Sequence, residues 1–261
     1  MEAQVGGERA LVLCGRHPVL EALRSGTRPI DEILVDGEGP ETRHRDILAL
    51  ARQAGVRCGR APRAALTALA GTSHHQGVVA RVAARAYESL DRLLAVPAAR
   101  GEPAFFLALD QVQDPGNVGN LLRTAEALGV HGVVLLRHQA AGLTAHAVRS
   151  AAGALEHLAI ARVGNLAQTL EVLKQAGAWV VGAMTGGPGT VAPWTLDLRG
   201  PVALVLGSES RGLRPLVARS CDVLSAIPQA GRVGSLNVAS AGAALLYEVR
   251  RQRSQKAPKN G

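Results

Sequence analysis

The pattern that most constrains this chain begins at Ala104, where short apolar runs start to alternate with stretches of helical spacing. The apolar runs are Ala104–Leu109, Gly132–Leu136, Leu158–Val163, Ala178–Ala183, Val202–Leu206 and Val223–Ile227. Helical spacing covers Val118–Leu128, Thr144–Ala151, Leu166–Ala176 and Leu213–Arg219, with a final helix at Leu236–Arg251. Asn165 suits the N-cap and Gly177 the stop of the third helix. Strands that are apolar throughout, with helices between them, predict a mostly parallel α/β sheet covered on both faces.

The first part of the chain is a separate, smaller α/β unit of about 80 residues. Helices are expected at His17–Arg24, Thr42–Ala54 and Pro62–Leu69, and strands at Ile30–Val35 and Gly77–Val82. The expected division is therefore residues 1–86, a linker over 87–103 holding Pro97, Gly101 and Pro103, and a larger domain over 104–261. The loop Thr185–Thr190 (Thr-Gly-Gly-Pro-Gly-Thr) suggests only a flexible connector.

Three segments of the larger domain share one character. They are Asn117 to Arg123, Leu206 to Leu213, and Ile227 to Ser240. Each lies where an apolar run gives way to a helix, and each gathers Gly, Asn, Ser and a charged residue. In a parallel sheet such junctions share the edge at which ligands bind. Asn117 can cap the coming helix, and Arg123, within the next two turns, can face the same cleft. Gly207 and Gly212 bracket Ser208-Glu209-Ser210-Arg211 and permit a tight loop. Glu209 is either a helix-dipole partner or a site carboxylate. Ser235 or Asn237 can cap the last helix, while the glycine-rich loop around Gly231 forms a wall for a small polar ligand.

Other functions are excluded by what is missing. No G-x-G-x-x-G, Walker P-loop or G-x-S-x-G motif occurs, so dinucleotide, P-loop and serine-hydrolase readings fail. The histidines lack H-E-x-x-H spacing, and Cys14, Cys58 and Cys221 form no C-x-x-C pair, which points to buried or free thiols in a reducing cytoplasm and to no metal site. No apolar run is long enough for a membrane span. The formal charge is +8, carried overwhelmingly by arginine, and the stretch from Arg250 to Lys259 holds five cations and no acid. Such a surplus suits a polyanion. With two each of Phe, Trp and Tyr, base stacking is poorly supported, so RNA would be held by shape, phosphate and ribose contacts.

The three segments resemble the three motifs of the SpoU (TrmH-type) branch of the SPOUT RNA methyltransferases. The resemblance extends over nearly the whole chain. Cys14 to Leu23 and His75 to Val78 are similar to an L30e/L7Ae-like RNA-binding domain. Ser150 to His157 is similar to the subfamily that methylates a guanosine 2′-hydroxyl in large-subunit ribosomal RNA. This resemblance implies a catalytic domain with a trefoil knot, a homodimer whose active sites borrow residues across the interface, and S-adenosylmethionine as cofactor. It places cofactor contacts at Gly207, Ile227 and Leu236, with Leu206, Gly231 and Ser235 completing the wall. Arg123, Asn117, Glu209, Ser235 and Asn237 become the catalytic positions, with Glu209 fixing either Arg123 or a ribose hydroxyl. The implied partner is ribosomal RNA or a pre-ribosomal large subunit. Alternatives are methylation of transfer RNA, methylation of another ribosomal site of the antibiotic-resistance type, and a non-catalytic ribosome-assembly protein.

Overall fold

The computed structural model describes residues 11–38, 41–232 and 234–255; the ends of the chain, with Lys256 and Lys259, lie outside the described residues. The chain forms two units, residues 1–86 joined by 152–157, and residues 87–151 joined by 158–261.

The first unit is built on a four-stranded sheet of order β1-β4-β2-β3. Its strands are β1 (Leu11–Cys14), β2 (Ile30–Asp36), β3 (Arg57–Ala61) and β4 (Val78–Val82). β4 runs antiparallel to β1 and β2, while β3 pairs parallel to β2 at the edge. Helices α1 (Arg16–Ser25), α2 (Arg45–Gln53) and α3 (Arg63–Ala70) join them. Ile33, Ile47, Leu66 and Val78 are wholly buried between sheet and helices. β1 and β3 were not expected. β3 reads Arg-Cys-Gly-Arg-Ala, an exposed edge strand with no apolar run to announce it.

The segment 152–157 belongs to this unit, not to the larger domain in which it was expected. A buried ion pair ties it there. The Glu156 carboxylate is buried in an ion pair with Arg28 and accepts a second bond from Thr27 Oγ1 at 2.8 Å. Both charged side chains are almost fully buried, and losing one partner of such a pair costs about 3–5 kcal/mol.

The second unit holds a seven-stranded, wholly parallel sheet of order β7-β6-β5-β10-β8-β11-β9. The strands are β5 (Phe105–Asp110), β6 (Gly132–Leu136), β7 (Ala159–Val163), β8 (Trp179–Met184), β9 (Thr190–Val191), β10 (Val202–Gly207) and β11 (Val223–Ala226). The predicted linker is in part a helix, α4 (Leu90–Arg100), capped by Ser89 and anchored by fully buried Leu93. The other helices are α5 (Pro115–Ala127), α6 (Ala145–Ser150), α7 (Leu166–Gln175), α8 (Pro215–Arg219) and α9 (Val238–Ser254). α4, α7 and α8 pack with Phe106, Ala108, Val180, Ala203 and Val205 in one core cluster. The alternate residue of β10, Leu206, faces α9 and α5 at Gly242 and Leu121. Helices on both faces explain why β5 and β10 are buried along their whole length.

Strand order reverses at the β5–β10 pair. From β5 the chain steps outward through β6 to β7, while β8, β11 and β9 lie on the other side of β10. In-register parallel pairing brings Asp110 beside Gly207, and Ala226 beside Met184. Four strand ends therefore open on one edge, at the position where parallel sheets bind ligands.

Candidate active site

Each predicted segment starts at one of these strand ends. After β5, Asp114 caps α5 by accepting the Asn117 N–H at 2.7 Å, with Pro115 opening the first turn. Asn117 is thus not the cap, and its side chain is free for other work. Its Nδ2 donates to Glu209 Oε1 at 2.9 Å, and its Oδ1 accepts from Asn237 Nδ2 at 3.0 Å. Asn237 in turn caps α9, its Oδ1 receiving the N–H groups of Ala239 and Ser240 at 2.9 and 3.3 Å. One polar chain thereby runs from the N-terminus of α9 through Asn117 to Glu209, joining all three segments. The capping choice between Ser235 and Asn237 falls to Asn237.

The loop after β10 is closed by reciprocal backbone bonds, Ser208 N–H to Gly212 C=O at 3.0 Å and Gly212 N–H to Ser208 C=O at 2.9 Å. Gly207 makes this possible. A Cβ there would sit 2.1 Å from the Gly212 carbonyl carbon and 2.3 Å from the Leu213 nitrogen. Gly212 takes a left-handed φ of +65°. Glu209, at the tip, is exposed and directed by Asn117. Behind the loop, buried Asp110 receives the Arg214 backbone N–H and its Nε, both at 2.8 Å, which fixes the start of α8 to the end of β5.

A cleft of about 350 Å³ lies between this loop, the end of β8 and the entry to α9. Leu206, Gly207, Glu209, Ser235 and Leu236 line it, as do Met184 and Thr185. Ile227 and Gly231 line an adjoining cleft of about 460 Å³, which also holds Thr185. Met184, Ile227 and Leu236 meet in a small cavity of about 40 Å³ shared with Ala241. Thr185 and Gly186, placed in a plain connector by composition, are wall residues of these clefts. Their only signal was position, directly after a buried strand.

Arg123 stands apart. It is exposed, its side chain forms no hydrogen bond or ion pair among the described residues, and it lines none of these clefts. Six residues at ~100° each carry it round α5 to a different face from Asn117. Glu209 is bonded to Asn117 and not to the Arg123 of its own chain.

The cleft suits a nucleoside cofactor. Leu206, Leu236, Met184 and Val238 offer apolar surface to a base, and the glycine-rich walls expose backbone donors and acceptors. Among the described residues no group of His, Cys, Asp and Glu side chains could hold a metal ion, and no helix is long and apolar enough to cross a membrane.

Known proteins share this architecture. The SpoU rRNA methylase family matches residues 104–247, and the RNA 2′-O ribose methyltransferase substrate-binding family matches residues 12–88. The 23S rRNA (guanosine-2′-O-)-methyltransferase RlmB of Ralstonia nicotianae is 40% identical over 94% of this chain and 97% of its own. The protein of the same name from a Burkholderia species is 42% identical over 95% and 99%. Among solved structures, the SpoU methyltransferase AviRb of Streptomyces viridochromogenes in complex with AdoMet superposes with a TM-score of 0.75. It is 30% identical, over 94% of this chain and 90% of that one. An AdoMet-bound rRNA methyltransferase from Sinorhizobium meliloti gives a TM-score of 0.75 at 29% identity, over 93% and 87%. With both units matched in turn and the three polar segments converging at one sheet edge, the chain belongs to the SpoU rRNA methylase family.

Proposed function

We propose that this protein transfers a methyl group from S-adenosylmethionine to the ribose 2′-oxygen of a guanosine in large-subunit (23S) ribosomal RNA. The observation that carries this is the Asn237–Asn117–Glu209 chain, which ties together residues 120 and 92 positions apart at the mouth of a nucleoside-sized cleft. The guanosine and the 23S substrate rest on relatives of that name at about 40% identity along almost their whole length.

When bound, the cofactor supplies a methyl group on a sulfonium, already electrophilic enough for in-line transfer. The protein's task is alignment and charge stabilisation. Leu206, Gly207, Ser235 and Leu236 wall the cofactor, with Ile227 and Gly231 on the adjoining side. Asn117 holds one oxygen of Glu209, leaving the other to accept from a ribose hydroxyl. A guanidinium is a poor base, so Arg123 orients a phosphate and stabilises developing alkoxide while the proton leaves to water or phosphate. Because Arg123 lies on another face of α5, a second copy of the chain completes each site, as the homodimer expected from the resemblance requires. The exposed Tyr247 on α9 is available to such an interface. The first unit presents ribosomal RNA, alone or in a pre-ribosomal particle in the cytoplasm, and the catalytic unit follows the knotted path of its family.

The test is transfer from labelled S-adenosylmethionine to total RNA lacking its native modifications, followed by mapping of 2′-O-methyl groups. A single guanosine in the large-subunit RNA is expected. A transfer-RNA product or a different ribosomal site would replace the substrate, and failure on both free RNA and ribosomal particles would overturn the catalytic reading.

A further inference from the structure

The loop Ser208–Arg211 is a wall common to two clefts. On one side is the proposed cofactor cleft; the other cleft, of about 320 Å³, is completed by Gln111, Gln113 and Gln139. No sequence motif pointed to these glutamines. Every residue lining this second cleft is polar or charged.

Its backbone is also unusual. Gln111 follows β5 and Gln139 follows β6, and both have φ of +59°. They are the only residues other than glycine with positive φ in the second unit among the described residues. A left-handed conformation disfavours any residue with a Cβ, and such residues gather at binding sites. Here the strain aims two carboxamides at each other, and Gln111 Nε2 donates to Gln139 Oε1.

After that bond, Gln111 keeps its Oε1 acceptor and one N–H, and Gln139 keeps both N–H donors. The Glu209 oxygen that Asn117 does not hold has two lone pairs, one for the ribose hydroxyl and one for the base, and Arg211 adds a cationic donor at the same wall. Acceptors and donors side by side match the Watson–Crick edge of guanine, which pairs the O6 acceptor with the N1–H and N2–H donors. Adenine would turn its N1 lone pair toward a carboxylate. With no aromatic side chain in the wall, the base is held by its edge and not by stacking.

We propose that this pocket binds the base of the guanosine to be methylated, with Gln111 and Gln139 as specificity-determining residues. The placement rests on the methyltransferase reading, since Glu209 then touches the ribose on one side and the base on the other.

The experiment measures binding of the pentanucleotides UUGUU, UUIUU and UUAUU to the full-length protein saturated with S-adenosylhomocysteine, for the wild type and Gln139→Met. Methyl transfer to RNA and S-adenosylmethionine binding are measured beside it. The wild type is expected to bind UUGUU more tightly than UUAUU, with UUIUU between. In Gln139→Met the UUGUU affinity falls about tenfold and the G/A preference collapses, while cofactor affinity holds. Gln111→Leu, which keeps the backbone penalty unchanged, behaves alike. A wild type without G preference, or variants that retain it, overturns the pocket even if RNA is methylated. A preference that collapses in a protein unable to methylate RNA upholds the pocket and overturns the catalytic reading alone.

Discussion

Gly207→Ala tests most directly whether the loop after β10 shapes the cofactor cleft. The added methyl group would lie 2.1 Å from the Gly212 carbonyl carbon, 2.3 Å from the Leu213 nitrogen and 2.4 Å from the Gly212 oxygen. All three are backbone atoms, so no rotamer change relieves the contact, and the loop must move by more than 1 Å to reach the ~3.5 Å of ordinary carbon contact. That motion breaks the two Ser208–Gly212 backbone bonds, each worth about 1 kcal/mol. Overpacking adds roughly 1–3 kcal/mol, for a total of about 3–5 kcal/mol. In a unit of this size that lowers Tm by about 6–20 °C. The same motion displaces Ser208 to Arg211, which form one wall of the cleft, so affinity for S-adenosylmethionine falls more than ~10-fold. Gly212→Ala is the control. A Cβ there meets nothing within 4 Å, and the penalty is only the left-handed φ of +65°, about 1–2 kcal/mol, with cofactor binding retained. Thermal melts and calorimetric titration of both variants decide the matter. Equal melting losses, or a Gly207→Ala protein that binds cofactor like the wild type, would refute the argument.

Arg123→Ala abolishes methylation while leaving Tm and cofactor affinity nearly unchanged, because the side chain is exposed and unpaired among the described residues; a melt shifted by more than ~0.5 kcal/mol would make the residue structural. Asn117→Ala removes the bonds to Glu209 and Asn237 and lowers kcat/KM about 10–100-fold. Asn237→Ser keeps a capping oxygen but loses the donor to Asn117, so a double-mutant cycle on kcat/KM gives a coupling above ~0.5 kcal/mol; additive effects would refute the relay. Burial holds the pKa of His44, His75 and His131 below the usual imidazole value. Bare Nδ1 atoms accept the Gly77 N–H in His75 and the Phe105 N–H in His131. The unfolded chain binds these protons more readily, so stability is full above pH ~6.5 and declines as pH falls through that value. A urea midpoint that stays constant from about pH 7.5 to pH 5 would contradict this.

What the sequence made legible, and what it hid, follows from how a parallel sheet is held together. β5 and β10 announce themselves because both faces are buried and every residue is apolar or small until the closing Asp110 or Gly207. β3 does not, since an edge strand tolerates Arg57 and Arg60. α4 was hidden by Pro97, which sits inside the helix while fully buried Leu93 does the anchoring. The cap at Asp114 was legible in principle, because Pro at the next position marks a first turn. Strand order is a different kind of information. Parallel neighbours are joined by long crossovers and leave no local turn signature, so nothing in the chain states that β10 lies between β5 and β8. The junction rule brings the right segments to one edge, but only strand order determines which side chains touch. That is why Asn117, Glu209 and Asn237 were each expected at a site while their mutual bonds were not, and why Glu209 was offered to Arg123. The glutamine pocket is the extreme case. Gln111 and Gln139 carry no motif and adopt a backbone conformation that glutamine ordinarily avoids, so they become visible only when β5 and β6 are laid side by side. Residues whose conformation runs against their own preference are the ones a local reading must miss, and tertiary context maintains them there for what they bind.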